Sequence, residues 1–207
     1  ALQLAKEIAD QSMMTRLPVS VGTLTTLDAL QFCEEKEEPH ILLVGAGGDI
    51  GSIVLRDLMD ADDRVRIVAT SRKHKQYDLA FQDTGQVRWV HYDKRYEYLA
   101  WADVVISATS SPHYTFLEEN VKNLRREKPL CFIDLAIPRD VDEAIEKLEG
   151  CIVKNMDDIQ VLAKKNNEKK LTEAKKTALI IEDRVEEMEK TLAFRRFRDA
   201  FPEKTKQ

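Results

Sequence analysis

The stretch "HILLVGAGGDIGSIV", residues 40–54, is an apolar run that breaks into a glycine cluster and then resumes an apolar pattern. Such a run reads as a parallel strand buried on both faces, and the pattern after it as a helix. The turn between them carries Gly45, Gly47, Gly48 and Gly51. A dinucleotide site needs backbone close to a pyrophosphate and a helix N-terminus aimed at it; glycine permits both. The usual spacing is G-x-G-x-x-G. In this chain the last glycine arrives one residue late, which fits a slightly longer turn. Gly51 then falls on the first helical turn, where the missing side chain lets the helix pack close to the sheet. The alternative is a glycine-rich turn with no ligand.

Outward from this stretch the chain alternates strands and helices. "DIGSIVLRDLMD" has Ile50, Val54 and Leu58 at helical spacing. "VRIVATS", "VRWVHYD", "ADVVISAT", "PLCFIDLA" and "CIVKN" read as further strands. "RYEYLAW" and "TFLEENVKNLRRE" read as helices, and "PRDVDEAIEKLEG" as a helix begun by Pro138 and ended by Gly150. This alternation implies a parallel α/β sheet with right-handed crossovers. Six strands is the count of a doubly wound, Rossmann-type dinucleotide fold.

Upstream, residues 1–14 look helical, with Leu4 and Ile8 one turn apart. The chain starts at Ala1 in what reads as mid-helix, so either sequence upstream is missing or the terminus is processed or engineered. "TRLPVSVGT" breaks the pattern at Pro18 and Gly22, and "TLTTLDALQFC" resumes as a short helix with Thr23 a candidate cap. "EEKEEPH" is a charged linker. Downstream, Asp157 to about Phe201 contains no glycine or proline. Leu171, Ala174, Ala178, Ile181, Val185, Met188 and Leu192 recur at alternating steps of three and four, a heptad seam. A helix of about 40 residues runs roughly 60 Å. Such a seam calls for a partner, either a second copy of the chain or missing sequence; the alternative is a helix folded back on its own sheet. The expected organisation is a helical segment and linker (1–38), a cofactor domain (39–156) and a long helix with a tail (157–207).

Composition sets further bounds. The 207 residues are 43% hydrophobic and 33% charged, which suits a globular core with a charged surface. A net charge of -5 argues against general affinity for nucleic acid, so no DNA partner is expected. No apolar stretch is long enough to span a bilayer, and no signal peptide is evident, so no membrane partner is expected. Cys33, Cys131 and Cys151 have neither metal spacing nor a paired pattern, which reads as a reduced, cytoplasmic chain. No metal site is expected.

The strand ends carry the chemistry. An NAD site usually places Asp or Glu after the second strand to bind the ribose 2′-hydroxyl. This strand ends "VATSRKHK", without an acid. Ser71, Arg72 and Lys73 fit a 2′-phosphate instead, because guanidinium grips phosphate oxygens well. That favours NADP(H) over NAD(H), unless Arg72 and Lys73 are merely solvated charges. "ATSSPH" ends the fourth strand, where Thr109, Ser110 and Ser111 offer hydroxyls and backbone donors to a ribose. "DLAIPRD" ends the fifth, with Asp134 and Ala136 on the same rim, closer to the nicotinamide. Asp134 reads as an acid–base group or as a capping, backbone-bonding one. His113, on a loop after Pro112, reads as exposed.

The motifs "GAGGDIG", "TSRK", "ISATSSPH", "FIDLAIPRDVD" and "NMDDIQVLAKKNNEKK" occur in the order found in glutamyl-tRNA reductases, and the chain resembles that family over most of its length. "PVSVGTLTTLDAL" is similar to the segment entering that family's cofactor domain, and "DLAIPRDVD" followed by "NMDDIQ" is the most specific part. The glycine turn alone looks as much like the related shikimate dehydrogenases. The resemblance implies NADPH-dependent reduction of glutamyl-tRNA to glutamate-1-semialdehyde, the entry to tetrapyrrole synthesis. It places Gly45, Ala46, Gly47, Gly48, Asp49, Ile50 and Gly51 around the pyrophosphate, and Ser71, Arg72 and Lys73 at the adenosine phosphate. Thr109 to Ser111 and Asp134 to Ala136 border the ribose and nicotinamide, and Asn155 to Ile159 lead into the family's long spinal helix. A homodimer through residues 171–192 is expected, and glutamyl-tRNA is a partner only in the full-length enzyme. Family chemistry uses a cysteine thiolate from an upstream catalytic domain, no part of which is in this sequence. None of the three cysteines matches that motif, so no catalytic residue is assigned. The family also continues past the spinal helix into a dimerisation domain, whereas this chain ends soon after "FRRFRDAFPEKTKQ". The chain alone is expected to bind cofactor without reducing glutamyl-tRNA. A shikimate-dehydrogenase-like oxidoreductase and a non-catalytic, dimerising NADP-binding module are the alternatives.

Overall fold

The computed structural model describes residues 20–72, 85–124 and 128–200. The helix expected over residues 1–14, and Lys73, lie outside them. Among the described residues, apolar runs become six strands: β1 (His40–Val44), β2 (Arg66–Ser71), β3 (Val87–His91), β4 (Val104–Ser107), β5 (Leu130–Asp134) and β6 (Cys151–Asn155). They form one sheet in the order β3-β2-β1-β4-β5-β6. Every pairing is parallel. This is the doubly wound order, with its switch point between β1 and β4.

Side-chain alternation sorts the strands onto two faces. Ile41, Leu43, Ile67, Ala69, Val104, Ile106 and Ile133 pack on one side with α1 (Val21–Phe32) and α2 (Asp49–Ala61). Leu42, Val44, Val68, Val105, Leu130 and Phe132 pack on the other with Leu99, Phe116 and Ile145. Among the described residues the second face is covered by short pieces: a 3₁₀ segment Tyr92–Tyr98, the one-turn helix α3 (Glu118–Val121) and a 3₁₀ segment Glu143–Lys147. Phe116 meets Phe132 edge to face, with ring centroids 5.5 Å apart.

Three local expectations are corrected. The cap of α1 is Ser20, whose Oγ accepts from the Thr23 amide at 3.2 Å; the Thr23 hydroxyl instead donates to Asp57 of α2 at 2.8 Å. Gly22 does not break this helix but lies buried within it. A Cβ there would sit 2.6 Å from Ile53 Cγ2, so the missing side chain lets α1 approach α2. Within the described residues, the helices expected over "TFLEENVKNLRRE" and "PRDVDEAIEKLEG" shrink to α3 and the short 3₁₀ turn. The reason is competition for backbone. The Asp134 carboxylate takes the amides of Asp140 and Val141, and the Asp140 carbonyl accepts from the amides of Thr115 and Phe116. The Asp140 carbonyl is thereby lost to the Ala144 amide, which goes to Asp142 Oδ1, and the Phe116 carbonyl, taken by the Asp142 amide, is lost to the Asn120 amide. The Ile137–Pro138 peptide in this loop is cis.

Asp103, at the foot of β4, is a buried charge on the edge opposite the strand carboxyl ends. Its carboxylate meets Lys128 at 2.9 Å and Lys36 at 3.5 Å and accepts from the His40 amide at 3.0 Å. Burial pushes its pKa up, but the Lys128 and His40 hydrogen bonds and the two ammonium charges hold it below the usual carboxylate value. A carboxylate with a lowered native pKa contributes stability above its unfolded pKa and loses it as pH falls through the native one. Acid unfolding of Asp103→Asn, followed by circular dichroism, is therefore expected to depend less steeply on pH below about 4, with lower stability at neutral pH. An acid limb unchanged from the parent would contradict this.

The last element is α4 (Met156–Ala200), a helix of 45 residues. Asn155 and Asp158 start it reciprocally: Asn155 Oδ1 accepts from the Asp157 amide at 2.8 Å, and Asp158 Oδ2 from the Asn155 amide at 2.8 Å. Ile159 is fully buried in the first core face. From Lys164 the helix belongs to a second structural unit. In that unit it carries intrahelical ion pairs, Lys176–Glu173, Arg184–Glu187 and Lys190–Glu186, which support an isolated helix by a few tenths of a kcal/mol each. The large seam residues Leu171, Ile181, Val185, Met188 and Leu192 are all exposed, as are Phe194 and Phe197. Among the described residues, no helix is long and apolar enough to cross a membrane.

Candidate functional site

A cavity of about 400 Å³ opens at the carboxyl ends of β1, β2 and β4. Its floor is the glycine turn. Gly45 leaves β1 with φ +82°, a conformation that favours glycine, and a Cβ there would sit 2.8 Å from the Ala108 carbonyl carbon. Gly51 lies beneath: a Cβ on it would collide with the carbonyl oxygen of Gly45 and come within 2.8 Å of its carbon. The Gly48 amide donates to Gly45 O at 3.0 Å, and Gly48 caps α2 without a side-chain hydrogen bond. The first turn of α2 thus has no side-chain cap, and its amides and dipole favour an anion.

The predicted residues divide. Gly45, Gly47, Gly48, Ser71, Arg72, Thr109 and Ser110 line this cavity together, joined by Thr70, Tyr92 and Ala108. Ala46 is buried, Asp49 and Ile50 are exposed on the first turn of α2, and Gly51 packs under the turn. Ser111 shapes the loop instead of lining the cavity: its hydroxyl donates to the His113 carbonyl at 2.9 Å, and its amide donates to Thr109 Oγ1 at 3.1 Å. His113 is exposed. Ala136 borders a separate hollow of about 260 Å³ with Ile137, Pro138, Arg139 and Asn155.

Asp134 takes the backbone-bonding role. It is only 2% exposed, and its oxygens accept from the amides of Ala136 (3.0 Å), Asp140 (2.8 Å) and Val141 (3.0 Å). Burial raises its pKa, three amides pull it down and neighbouring Asp140 raises it, for a net upward shift. With both oxygens engaged below the rim, it is not placed for proton transfer. Cys33 and Cys131 are buried, and burial pushes their thiols up to about 11 and about 12, so both stay protonated at neutral pH. Among the described residues no group of three His, Cys, Asp or Glu side chains could hold a metal.

Two residues of the site escape the sequence reading. Asp140, fully buried, is the hub of the rim: it accepts from Ser107 Oγ at 2.7 Å, the Thr109 amide at 3.1 Å, Thr109 Oγ1 at 2.7 Å and Thr115 Oγ1 at 2.8 Å. No local spacing flags a residue whose partners lie 25 to 33 positions away. Tyr92 could have been found, because pairing β2 with β3 in register sets the residue after β3 beside the residue after β2.

The glycine cradle, the α2 terminus without a side-chain cap and the hydroxyl-lined wall suit a dinucleotide, and the comparisons agree on the class. The shikimate / quinate 5-dehydrogenase family model matches residues 28–162, and the chain belongs to that family. Its site is that of a dinucleotide-binding oxidoreductase domain. The particular resemblance is to glutamyl-tRNA reductases. That of Methanococcoides burtonii is 35% identical over 188 residues, 90% of this chain and 44% of the relative. That of Archaeoglobus fulgidus is 31% identical over 202 residues, 97% of this chain and 46% of the relative. The solved structure of glutamyl-tRNA reductase from Methanopyrus kandleri aligns with a TM-score of 0.73 at 29% identity, covering 92% of this chain and 48% of that one. The chain spans about half the length of the curated relatives it matches.

Proposed function

We propose that this chain is the NADPH-binding domain and long helix of a glutamyl-tRNA reductase, the enzyme that reduces glutamyl-tRNA to glutamate-1-semialdehyde for tetrapyrrole synthesis. The observation that carries the assignment is identity of 31–35% to proteins of that name across about nine-tenths of the chain. A shikimate / quinate dehydrogenase, the second reading, rests on the family match alone. When bound, the cofactor supplies a hydride. The chain's own residues hold it: the turn from Gly45 to Gly51 takes the pyrophosphate, and Thr109 to Ser111 wall the ribose. Asp134 acts indirectly, fixing the loop that carries Ala136. Ser71 and Arg72, joined by Lys73, read the 2′-phosphate at the end of a β2 that offers no acid. Residues 1–38 lead into the cofactor domain of 39–156, and the seam over 171–192 joins two copies. The full-length protein works on glutamyl-tRNA in the cytoplasm. Sedimentation equilibrium tests the pairing; a strict monomer with the seam intact contradicts it.

Calorimetric titration tests the cofactor. A charge-assisted contact contributes about 1.5–3 kcal/mol, so NADPH is expected to bind at least about tenfold more tightly than NADH. Arg72→Gln is expected to narrow that gap by weakening NADPH alone. Equal affinities in the parent chain would rule out the NADP assignment.

A further inference from the structure

Arg72 is exposed at the mouth of the cavity, and a long exposed side chain ordinarily samples many rotamers. In this protein it does not stand alone. The pairing Ser71↔His91 carries β2 and β3 to the rim side by side, so the next residues, Arg72 and Tyr92, emerge together. The Arg72 guanidinium carbon lies 4.6 Å from the centroid of the Tyr92 ring. A second guanidinium, Arg95, lies 4.0 Å from the same centroid. Arg95 is fixed by its own hydrogen bonds, Nε to the Thr115 carbonyl at 2.9 Å and Nη1 to the Tyr92 carbonyl at 3.3 Å. The Tyr92 hydroxyl donates to Thr115 Oγ1 at 3.4 Å, and that hydroxyl donates to Asp140 at 2.8 Å. The ring is therefore tied to the buried carboxylate that also holds Thr109.

We infer that Tyr92 is a specificity-determining positioning residue: its ring presents Arg72 to the 2′-phosphate of an NADP-type cofactor. The inference rests on the NADP reading above and adds how the discrimination is built. Only the 2′-phosphorylated cofactor would bring an anion to the guanidinium held on this ring at the mouth of the cavity. The ring also pre-orders a side chain that would otherwise lose rotamer freedom on binding. Tyr92 touches no reacting atom, so its effect falls on the ratio of two affinities.

The test is titration of the chain with NADPH and with NADH. Tyr92→Phe keeps the ring and is expected to keep the parent preference. Tyr92→Leu is expected to weaken NADPH roughly two- to fivefold, the range of an exposed cation–π contact, with NADH unchanged. In an Arg72→Gln background, Tyr92→Leu is expected to change neither affinity. An equal loss for both cofactors, or an undiminished effect without Arg72, would mean that Tyr92 is only cavity wall and would overturn the inference. A parent chain without preference removes the NADP reading itself; a preference that depends on Arg72 but ignores Tyr92→Leu removes the inference alone. If Tyr92→Leu does not fold, nuclear magnetic resonance of the parent chain decides. Ring current is expected to move the Arg72 Nε–H resonance away from those of the exposed arginines in α4, and a position among them overturns the inference.

Discussion

Alanine at Gly51 is expected to cost about 1–3 kcal/mol of stability and to lower dinucleotide affinity by about tenfold or more. The added carbon would meet only backbone: the carbonyl of Gly45 and, at 3.0 Å, the Cα of Ala46. No rotamer relieves that, so α2 or the turn must move, and the turn amides leave the position that an anion requires. Alanine's better helix propensity returns at most about 1 kcal/mol. Gly48 is the control. A Cβ there would lie 3.4 Å from Gly45 O and 3.7 Å from Ala108 O, ordinary contact distances. Gly48→Ala is expected to leave the melting temperature near that of the parent, so any loss of affinity reports the ligand's own need for space. Thermal melts and titration of both variants check this; a Gly51→Ala chain that melts and binds like the parent would contradict it.

Removing the Asp140 carboxylate is expected to cost more, about 3–5 kcal/mol in Asp140→Ala. Four donors would lose their acceptor at a position with no access to water. Asp140→Asn is expected to cost less. The hydroxyls of Ser107, Thr109 and Thr115 can rotate to accept from the amide, whereas the Thr109 backbone N–H cannot. Chemical denaturation gives both values. A loss below about 1 kcal/mol in the alanine variant would show that the network adds little beyond what water gives the unfolded chain.

The sheet was legible in the sequence because each buried strand is a short apolar run between turn residues, as "ILLV", "RIVAT" and "CFID" are. The glycine turn was legible because glycine has few reasons to cluster after such a run. The stretches after β4 and β5 were not. "PRDVDEAIEKLEG" has helical composition, but the amides of Thr115 and Phe116, outside that stretch, take the Asp140 carbonyl, and the Ala144 amide turns to Asp142. Periodicity registers local preference and is blind to a hydrogen-bond partner arriving from elsewhere in the chain. The site divides the same way. Gly45, Arg72 and Thr109 follow from their places at strand ends. Asp140 matters through partners that only the folded chain brings near, whereas Tyr92 follows once β2 and β3 are paired in register.

The Asp140 hub has a dynamic consequence. Its side chain holds the segment after β4, its carbonyl holds the segment before α3, and its own amide is held by the end of β5. None of these three segments can open without releasing the others. Amide hydrogens at Thr109, Thr115 and Val141 should therefore exchange with solvent through one shared opening, at the free energy of a single cooperative unit. The rim that borders the cavity is thus built to move as a plate and not as three independent loops.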